Sequence, residues 1–263
     1  MKHSLIIGQR VLRELSKDNK LFGLSIFGPF VLIYFLKIFI DSMPPNFPAA
    51  RYAMPFAAFI VHFFSFILCG IVLVQERTSG TLERMFIAGF SRPSIIGGYV
   101  LGYFGLAILQ ATVVLGETVW LVDLDYGAKT LLLLLITIFM LSTVSVMLGI
   151  FASTFARHAG HILPFIPLVM IPSLFLSGLL IDTDQLPTWA EFIGMLLPFR
   201  YANNIIQELI GSTFEASVNY CNLLILGGYI CALLIIASRT LNENQLEQLT
   251  LRIWKGTSCR CIS

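Results

Sequence analysis

Six stretches of about 20 uninterrupted apolar residues constrain this chain more than any other feature of its sequence. They cover roughly residues 21–40, 53–74, 95–120, 130–152, 161–181 and 219–238. A helix of about 20 residues, rising 1.5 Å per residue, crosses the roughly 30 Å hydrocarbon core of a bilayer. The stretches lack the alternation typical of strands, and an open strand in lipid leaves backbone groups unpaired. The sequence therefore predicts an all-α integral membrane protein with six transmembrane helices.

The composition supports lipid as the solvent for much of the chain. Of the 263 residues, 57% are hydrophobic and 12% are charged, whereas soluble domains are about 45–50% apolar and about 25% charged. A soluble core of this length cannot hide so much apolar surface. We expect membrane lipids and membrane proteins as partners and no nucleic acid. We also expect no cleavable signal peptide, because the first apolar stretch is too long for a signal core.

Basic residues alternate between the two sides of the predicted bundle and so predict its orientation. Thirteen of the 17 Lys and Arg lie in the terminal segments or in the second and fourth connections, and only Arg51, Lys129 and Arg200 lie in the odd connections. Lys and Arg are enriched in cytoplasmic loops, so we expect both termini in the cytoplasm. The expected plan is a cytoplasmic interfacial helix at 1–20, a six-span domain at 21–240 and a cytoplasmic tail at 241–263.

The N-terminal segment has two chemically different faces. On an α-helix, one arc carries Ile7, Val11, Leu12 and Leu15, and the opposite arc carries Arg10, Arg13, Lys17 and Lys20. This pattern is typical of a helix that lies at a membrane surface, with its basic face toward anionic headgroups. The alternative is that the cations serve only to retain the segment in the cytoplasm.

The second cytoplasmic connection, residues 75–93, contains a short amphipathic helix pattern. Its apolar residues Leu82, Met85, Phe86 and Phe90 recur at helical spacing and form one stripe. The stripe predicts a helix that packs against something on the cytoplasmic side. Periodicity alone leaves open whether that is a partner protein, the lipid or the helix's own bundle.

A family resemblance favours the partner protein. The segment ERTSGTLERMFIAGFSRPSIIGGYVLGY resembles the signature of permease subunits in the type-2 ABC exporter family, and it matches that signature at Glu76, Arg77, Gly80, Thr81, Glu83 and Arg92. A looser match follows at Ser177–Gly178, Leu186–Pro187, Trp189, Pro198 and Tyr201. The resemblance covers about residues 1–240. The tail, with Cys259 and Cys261, matches no motif that we can name.

The resemblance implies a coupling helix that docks into a separate ATP-binding subunit. The implied docking residues are Glu76, Arg77, Gly80, Thr81, Leu82, Glu83, Arg84, Met85, Phe86 and Arg92, with a weaker contact at Arg157. Leu82, Met85 and Phe86 are the expected apolar anchors. The basic N-terminal helix is expected to contact the same subunit. A dimer of ATP-binding subunits and a second permease copy or homologue are the expected partners.

The resemblance also implies the reaction and its location. ATP and Mg are expected on the partner subunit, with no cofactor in this chain, and the substrate is expected to be a drug, lipid or glycolipid moved out of the cytoplasm or inner leaflet. The expected location is a bacterial cytoplasmic membrane. Helices in 182–218, separated by Pro198 and anchored by Trp189, are expected to close the outer end of the pathway. No G-x-x-x-x-G-K-[ST] motif occurs in the 263 residues, which agrees with hydrolysis on another chain.

Polar residues inside the predicted spans are the remaining candidates for function. Glu117, Gln110 and His62 are candidate pathway or gate residues, because polar and ionisable residues at membrane depth are costly and commonly functional. For Glu117 the alternative is a marker of the membrane surface, and for His62 it is an interhelical hydrogen bond. His158 and His161 in the fourth connection have a spacing that could hold a metal. No carboxylate or Cys stands near them in the sequence, so we expect interfacial polar residues there and no metal.

Small residues in the third span predict close packing between helices. Gly98, Gly102 and Gly105 are expected to let another helix approach closely.

We expect no enzymatic activity in this chain. An ion-coupled secondary transporter that uses Glu117 and His62 is the alternative function, and a non-transporting or lipid-modifying membrane protein is a third.

Overall fold

The computed structural model describes residues 2–17, 19–156, 158–211 and 220–236, and every regular element in these ranges is helical. This confirms the predicted all-α class. The predicted tail at 241–263 lies outside the described residues. The α-helices are α1 (Lys2–Lys17), α2 (Asn19–Asp41), α3 (Ala49–Thr78), α4 (Thr81–Ile87), α5 (Arg92–Val122), α6 (Ala128–Phe155), α7 (Phe165–Phe175), α8 (Thr188–Met195), α9 (Pro198–Ile210) and α10 (Tyr220–Ile236).

Four helices are long and apolar enough to cross a membrane. Their apolar parts are Gly23–Asp41, Ala49–Glu76, Gly97–Val122 and Ala128–Phe155, which correspond to the first four predicted spans. Two shorter apolar segments, Ala159–Phe175 and Tyr220–Ile236, correspond to the fifth and sixth. The structure is therefore compatible with six spans and establishes four by length and composition.

The fifth apolar stretch is not the continuous helix that its sequence predicts. It begins with a 3-10 turn at Ala159–Ile162, continues as α7 and loses regular structure after Phe175. Pro172, inside α7, lacks the backbone N–H of a regular helix, and Gly178, three residues after α7 ends, adopts a φ of +86°, which keeps the chain from continuing as a helix. The helical part of this span is therefore shorter than the hydrocarbon is thick.

Helices α3, α5 and α6 form the interior of the bundle, and α2 lies at its edge. In α3 72% of the most apolar window is buried within the protein, compared with 17% in α2. The α3 and α6 backbones approach so closely at Gly149 that a Cβ there would lie 2.6 Å from the carbonyl oxygen of Phe66. Close backbone approach at small residues is typical of packed membrane helices.

Helix α3 extends from one end of the bundle to the other, and each end is named here after the helix that lies next to it. At the start of α3, the Arg51 carbonyl accepts a 3.0 Å hydrogen bond from Gln207 of α9, and the Arg51 guanidinium lies 2.9 Å from Asp182. We call this the α9 end. At the other end α3 leads directly into α4, and we call that the α4 end. Helices α3, α5 and α6 have 30, 31 and 28 residues, about ten more than the hydrocarbon requires.

Candidate functional site

The turn between α3 and α4 is fixed by short-range hydrogen bonds and one glycine. The hydroxyls of Thr78 and Ser79 donate to the carbonyls of Gln75 and Glu76, each at 3.0 Å. The Gln75 carbonyl also accepts a 2.9 Å hydrogen bond from the backbone N–H of Ser79, so the turn is held by side-chain and backbone donors together. Gly80 has a φ of +72°, a left-handed conformation that other residues adopt at a cost. The chain can therefore reverse sharply and place α4 at a defined position.

Helix α4 has one face on the bundle and one face directed away from it. Met85 is 6% exposed and joins the main hydrophobic core, whereas Ile87 is 86% exposed. Arg84, Ala88 and Gly89 are also exposed. We call the exposed group Arg84, Ile87, Ala88 and Gly89 the α4 tip. Among the large hydrophobic side chains that the structure describes, Ile87 is the most exposed.

Arg84 stabilises the turn as well as standing at the α4 tip. Its guanidinium Nη2 donates to the Ser79 carbonyl at 3.0 Å, and the hydroxyls of Ser79 and Thr81 lie 3.0 Å apart. The family resemblance implies that Arg84 docks the partner. In the structure its head group lies against its own turn.

The structure places the other predicted docking residues in different settings. It describes the backbone but not the side chains of Arg77, Leu82, Glu83, Phe86 and Arg92, and Arg157 lies outside the described residues. The sequence predicts Met85 as an anchor for a partner, but its side chain is buried within its own bundle. Ile87, which the sequence did not single out, is the most exposed apolar side chain among those of α4 that the structure describes. It lies off the stripe of helical spacing on which the prediction relied.

Glu76, near the end of α3, connects this helix to α5 next to α4. Its carboxylate Oε2 accepts a hydrogen bond from the Tyr99 hydroxyl of α5, and Tyr99 is 2% exposed. The sequence predicts that Glu76 faces a partner, whereas this contact directs it toward α5. Glu76 therefore ties α3 to α5 where the two helices leave the hydrocarbon.

A chain of hydrogen bonds joins four helices inside the bundle. Gln110 Nε2 donates to the Ser25 carbonyl at 3.2 Å, and Gln110 Oε1 accepts from the Ser65 hydroxyl at 3.0 Å. The hydroxyls of Ser65 and Ser142 lie 2.7 Å apart. Gln110 is 2% exposed. The amide of this candidate pathway residue is therefore engaged in holding α2, α3, α5 and α6 together.

His62 makes the interhelical hydrogen bond that is its alternative role. The ring is fully buried, and Nδ1 lies 2.6 Å from the Ser145 hydroxyl of α6. The ring also stacks on Phe199 of α9, with 5.9 Å between centroids and 14° between planes. His62 thus links α3 to both α6 and α9.

Glu117 places a buried carboxylic acid within α5. It is 7% exposed, and neither carboxylate oxygen has a hydrogen-bond partner among the residues that the structure describes. A carboxyl group in this setting is unfavourable in a purely structural role. Among the predicted pathway residues that the structure describes, Glu117 has both carboxylate oxygens without a hydrogen-bond partner, and Nε2 of the His62 ring also lacks one.

Helix α9 rises along α3 from the interior of the bundle to the α9 end. Its first turn contacts His62 through Phe199, and its last turn contacts Arg51 through Gln207. The separation of His62 from Arg51 in the sequence corresponds to about 16 Å along α3. Pro198 is buried and begins α9 after α8 ends at Met195, as the sequence predicted. The turn between α8 and α9 therefore lies at the end of α9 that contacts His62, and we call α8 and α9 together the hairpin.

Polar contacts hold the hairpin together at depth. Asn203 Nδ2 donates at 3.0 Å to the carbonyl of Ser177, which lies in the non-helical stretch after α7. Tyr201 of α9 donates at 2.8 Å to the Met195 carbonyl. Non-helical backbone at membrane depth requires such partners within the protein. Trp189 on α8 is 67% exposed, as suits an anchor at a membrane surface.

The glycine stripe of α5 receives helix α1. A Cβ on Gly102 would lie 2.6 Å from Val11 Cγ1, and one on Gly105 would lie 2.6 Å from Leu12 Cδ2. A Cβ on Gly8 would lie 3.3 Å from the Gly98 carbonyl oxygen. The predicted packing role is therefore observed at Gly98, Gly102 and Gly105, and α1 is the helix that they accommodate.

The two histidines after α6 lie against each other. The ring centroids of His158 and His161 are 3.7 Å apart. Within the part of the chain that the structure describes, no group of three or more metal-ligating side chains occurs.

Comparison with known proteins identifies the family. Residues 3–210 match the model of the ABC-2 type transporter family. The chain is 26% identical over 178 residues to ABC transporter G family member 20 of Dictyostelium discoideum, covering 67% of this chain and 24% of that protein. It is 27% identical over 155 residues to the linearmycin resistance permease protein LnrN of Bacillus subtilis, covering 58% and 40%.

A third relative is the probable multidrug ABC transporter permease YbhS of Escherichia coli, which is 25% identical over 145 residues, with 54% of this chain and 38% of the relative covered. The chain spans less than half the length of each of these three relatives. The family match, in contrast, extends over most of the chain. With its membrane-spanning helices, this chain belongs to the ABC-2 type transporter family as a permease.

Proposed function

We propose that this chain is the membrane-spanning subunit of an ATP-driven exporter and that a separate ATP-binding subunit docks on the α4 tip. The observation that carries the proposal is the exposure of Ile87, 86% exposed on a helix that Met85 holds against the bundle. Arg84, about one helical turn before Ile87, is of a residue type that is enriched at protein interfaces. ATP and Mg bind to the partner, since this sequence has no phosphate-binding loop of the P-loop type.

The proposed mechanism follows from how α4 is attached. ATP binding draws two docked subunits together, and their movement displaces α4. Glu76 and Tyr99 transmit the displacement to α3 and α5 together. The partner shifts the access of the pathway only if it binds one arrangement of the bundle better than the other. Two permease chains, identical or homologous, enclose the pathway.

The proposed substrate is hydrophobic or amphipathic: a drug, lipid or glycolipid. The names of two relatives, a linearmycin resistance permease and a probable multidrug permease, support this class. We place Glu117 on the pathway, as a site for a cationic or hydrogen-bond-donating group of the substrate. The segment from Asp182 through α9 closes the α9 end.

The proposed orientation places the α4 end in the cytoplasm and the α9 end outside, in a bacterial cytoplasmic membrane. The distribution of the Lys and Arg residues supports it, because thirteen of 17 fall on the side of α1, α4 and the tail. Labelling of single cysteines by an impermeant maleimide in intact cells tests this. A cysteine at Ala88 should be protected, and one at Asp184 should react.

The docking proposal is tested by Ile87→Asp, with Ile87→Leu as the matched control. Ile87→Asp should reduce co-purification of the co-expressed ATP-binding subunit by at least about tenfold. It should leave the elution profile and melting temperature of the isolated permease unchanged, because the side chain is exposed. Ile87→Leu should retain the partner. Undiminished co-purification and transport with Ile87→Asp would overturn the docking surface.

A further inference from the structure

The hydrogen bonds around His62 fix which of its ring nitrogens carries the hydrogen. Nδ1 lies 2.6 Å from the Ser145 hydroxyl oxygen, and that oxygen also lies 2.6 Å from the Leu141 carbonyl oxygen of its own helix, α6. A hydroxyl has one hydrogen and a carbonyl can only accept, so the Ser145 hydrogen is donated to Leu141. The Ser145 oxygen therefore accepts its second hydrogen bond from the N–H at Nδ1 of His62.

The other ring nitrogen of His62 is an acceptor that lacks a donor. The residue is fully buried, and Nε2 makes no hydrogen bond with any residue that the structure describes. A buried imidazolium that contacts a hydroxyl in place of a carboxylate is costly, so the ring is neutral and Nε2 holds a lone pair. A buried acceptor without a donor costs free energy, and a donor that reaches Nε2 recovers that cost.

Two phenyl rings adjoin the imidazole and restrict what that donor can be. Phe199 of α9 stacks on His62 with 5.9 Å between ring centroids, and the centroid of Phe59 lies 6.4 Å from that of His62 and 5.5 Å from that of Phe199. Water molecules inside proteins make about three hydrogen bonds, and phenyl rings are poor partners for them. A donor on an apolar or cationic body fits better, because phenyl faces attract both.

Helix α9 covers His62, and the covering residue lies in the part of the chain proposed to move. Phe199 belongs to the first turn of α9, and Gln207 in the last turn donates at 3.0 Å to the Arg51 carbonyl of α3. His62 lies about 16 Å from Arg51 along α3, near the middle of the hydrocarbon. In the proposed function the segment through α9 closes the pathway, so opening of the α9 end moves Phe199 off the ring.

We propose that Nε2 of His62 accepts a hydrogen bond from an N–H or O–H group of an amphipathic substrate once α9 moves away. This inference rests on the proposed export function and adds a second polar contact to that of Glu117. Ser145 acts as a positioning residue, because its bond keeps the hydrogen on Nδ1 and the lone pair on Nε2. The site distinguishes substrates that carry a donor from substrates of equal charge that carry none.

Two dyes of equal charge test this selectivity. Rhodamine methyl ester and tetramethylrhodamine methyl ester each carry one positive charge, but the nitrogens of the first bear hydrogens and those of the second bear methyl groups. ATP-driven transport of both is measured in vesicles that contain the permease and its ATP-binding subunit. His62→Leu should lower the transport ratio of the first dye to the second by about fivefold, the scale of one hydrogen bond. His62→Gln places an acceptor near the position of Nε2 and should keep most of the ratio.

The tautomer is measured without any substrate. In the full chain with isotope-labelled histidine, solid-state NMR should show Nδ1 of His62 protonated and Nε2 unprotonated, with the His62→Leu spectrum to assign the signals. Ser145→Ala should allow both tautomers and lower the dye ratio. Thr143→Ala is the control and should change neither, because this buried hydroxyl donates to a carbonyl of its own helix.

A ratio that His62→Leu leaves unchanged, or a protonated Nε2 in the wild-type chain, would overturn the proposal. Because the ratio compares two dyes on the same protein, a variant that merely folds poorly lowers both and leaves the ratio unaffected. Transport that needs no ATP would count against the proposed function and not against the site.

Discussion

Gln110 of α5 donates a hydrogen bond of 3.2 Å to the carbonyl of Ser25 in α2, one helical turn before Pro29. In a regular helix the N–H of residue 29 would donate to this carbonyl, and proline has none. The side-chain amide of a neighbouring helix thus supplies the donor that proline removes. A helix-breaking residue and a polar residue, both unfavourable in lipid on their own, compensate each other here.

We expect this compensation to appear as coupling between the two positions. Gln110→Leu should destabilise the protein by about 1 kcal/mol, the scale of hydrogen bonds between membrane helices. In a Pro29→Ala background the loss should be smaller, because residue 29 regains its N–H. Thermal unfolding of the two single variants and the double variant in detergent measures the difference.

Thr112→Ala is the control for that cycle. Thr112 lies on α5, but it is exposed and donates to a carbonyl of its own helix. Thr112→Ala should lower the stability of the protein by the same amount in the wild-type and the Pro29→Ala backgrounds. Additive effects of Gln110→Leu and Pro29→Ala would show that the amide does not compensate for the proline.

The seat of α1 on α5 predicts opposite effects at two glycines of α5. Gly102→Ala should destabilise by about 1–3 kcal/mol, because the new Cβ meets Val11 at 2.6 Å. Val11→Ala in the same chain should recover much of this. Gly116→Ala has no neighbouring atom within 4 Å and should be neutral or stabilising by up to about 1 kcal/mol, since alanine favours a helix. Equal melting temperatures for Gly102→Ala and Gly116→Ala would contradict the α1–α5 contact.

Asn203 and Asn204 provide a matched pair on α9. Asn203 is 1% exposed and donates to the Ser177 carbonyl, whereas Asn204 is only partly buried. Asn203→Leu should cost about 1–3 kcal/mol by leaving that backbone carbonyl without this donor. It should also increase protease cleavage between Asp182 and Leu197. Asn204→Leu should do neither, and similar cleavage of both variants would speak against a hairpin held at depth.

Glu117 should affect transport according to the charge of the substrate. Glu117→Gln keeps the size of the side chain and removes its negative charge. Transport of a cationic substrate in reconstituted vesicles should fall by about tenfold or more, the scale of one charged hydrogen bond. Transport of a neutral substrate should change little. Equal loss for both substrates would assign Glu117 to structure, and ATP-independent transport lost in this variant would favour the secondary transporter.

The sequence predicted the spans well, because a helix that crosses the bilayer needs an apolar stretch of a minimum length. Runs such as 53–74 and 130–152 lie inside the helices that contain them, Ala49–Thr78 and Ala128–Phe155. It predicted the break at Pro198 and the close packing at Gly102 for equally local reasons. It overestimated the fifth helix, because hydropathy does not register what Pro172 and Gly178 do to the backbone.

The direction in which α4 faces could not be predicted in the same way. In a membrane protein the bundle interior, the lipid and a partner all present apolar surfaces, so a stripe such as Leu82, Met85 and Phe86 does not say which surface it meets. Met85 packs inward, and Ile87, outside the stripe, projects away. The helix that packs on the glycine stripe could not be predicted for a related reason. Gly102 indicates a close contact between helices, but it does not indicate which helix makes that contact.

The hydroxyl–carboxylate contact between Tyr99 and Glu76 has a mechanical consequence. It joins α3 and α5 at the root of α4, and α5 carries α1 on its glycines. A displacement of α4 therefore acts on α3 and α5 together, and through α5 it also acts on α1. Since Val11 and Leu12 of α1 lie against Gly102 and Gly105 of α5, a substitution that separates Glu76 from Tyr99 should loosen the contact of α1 as well as that of α3.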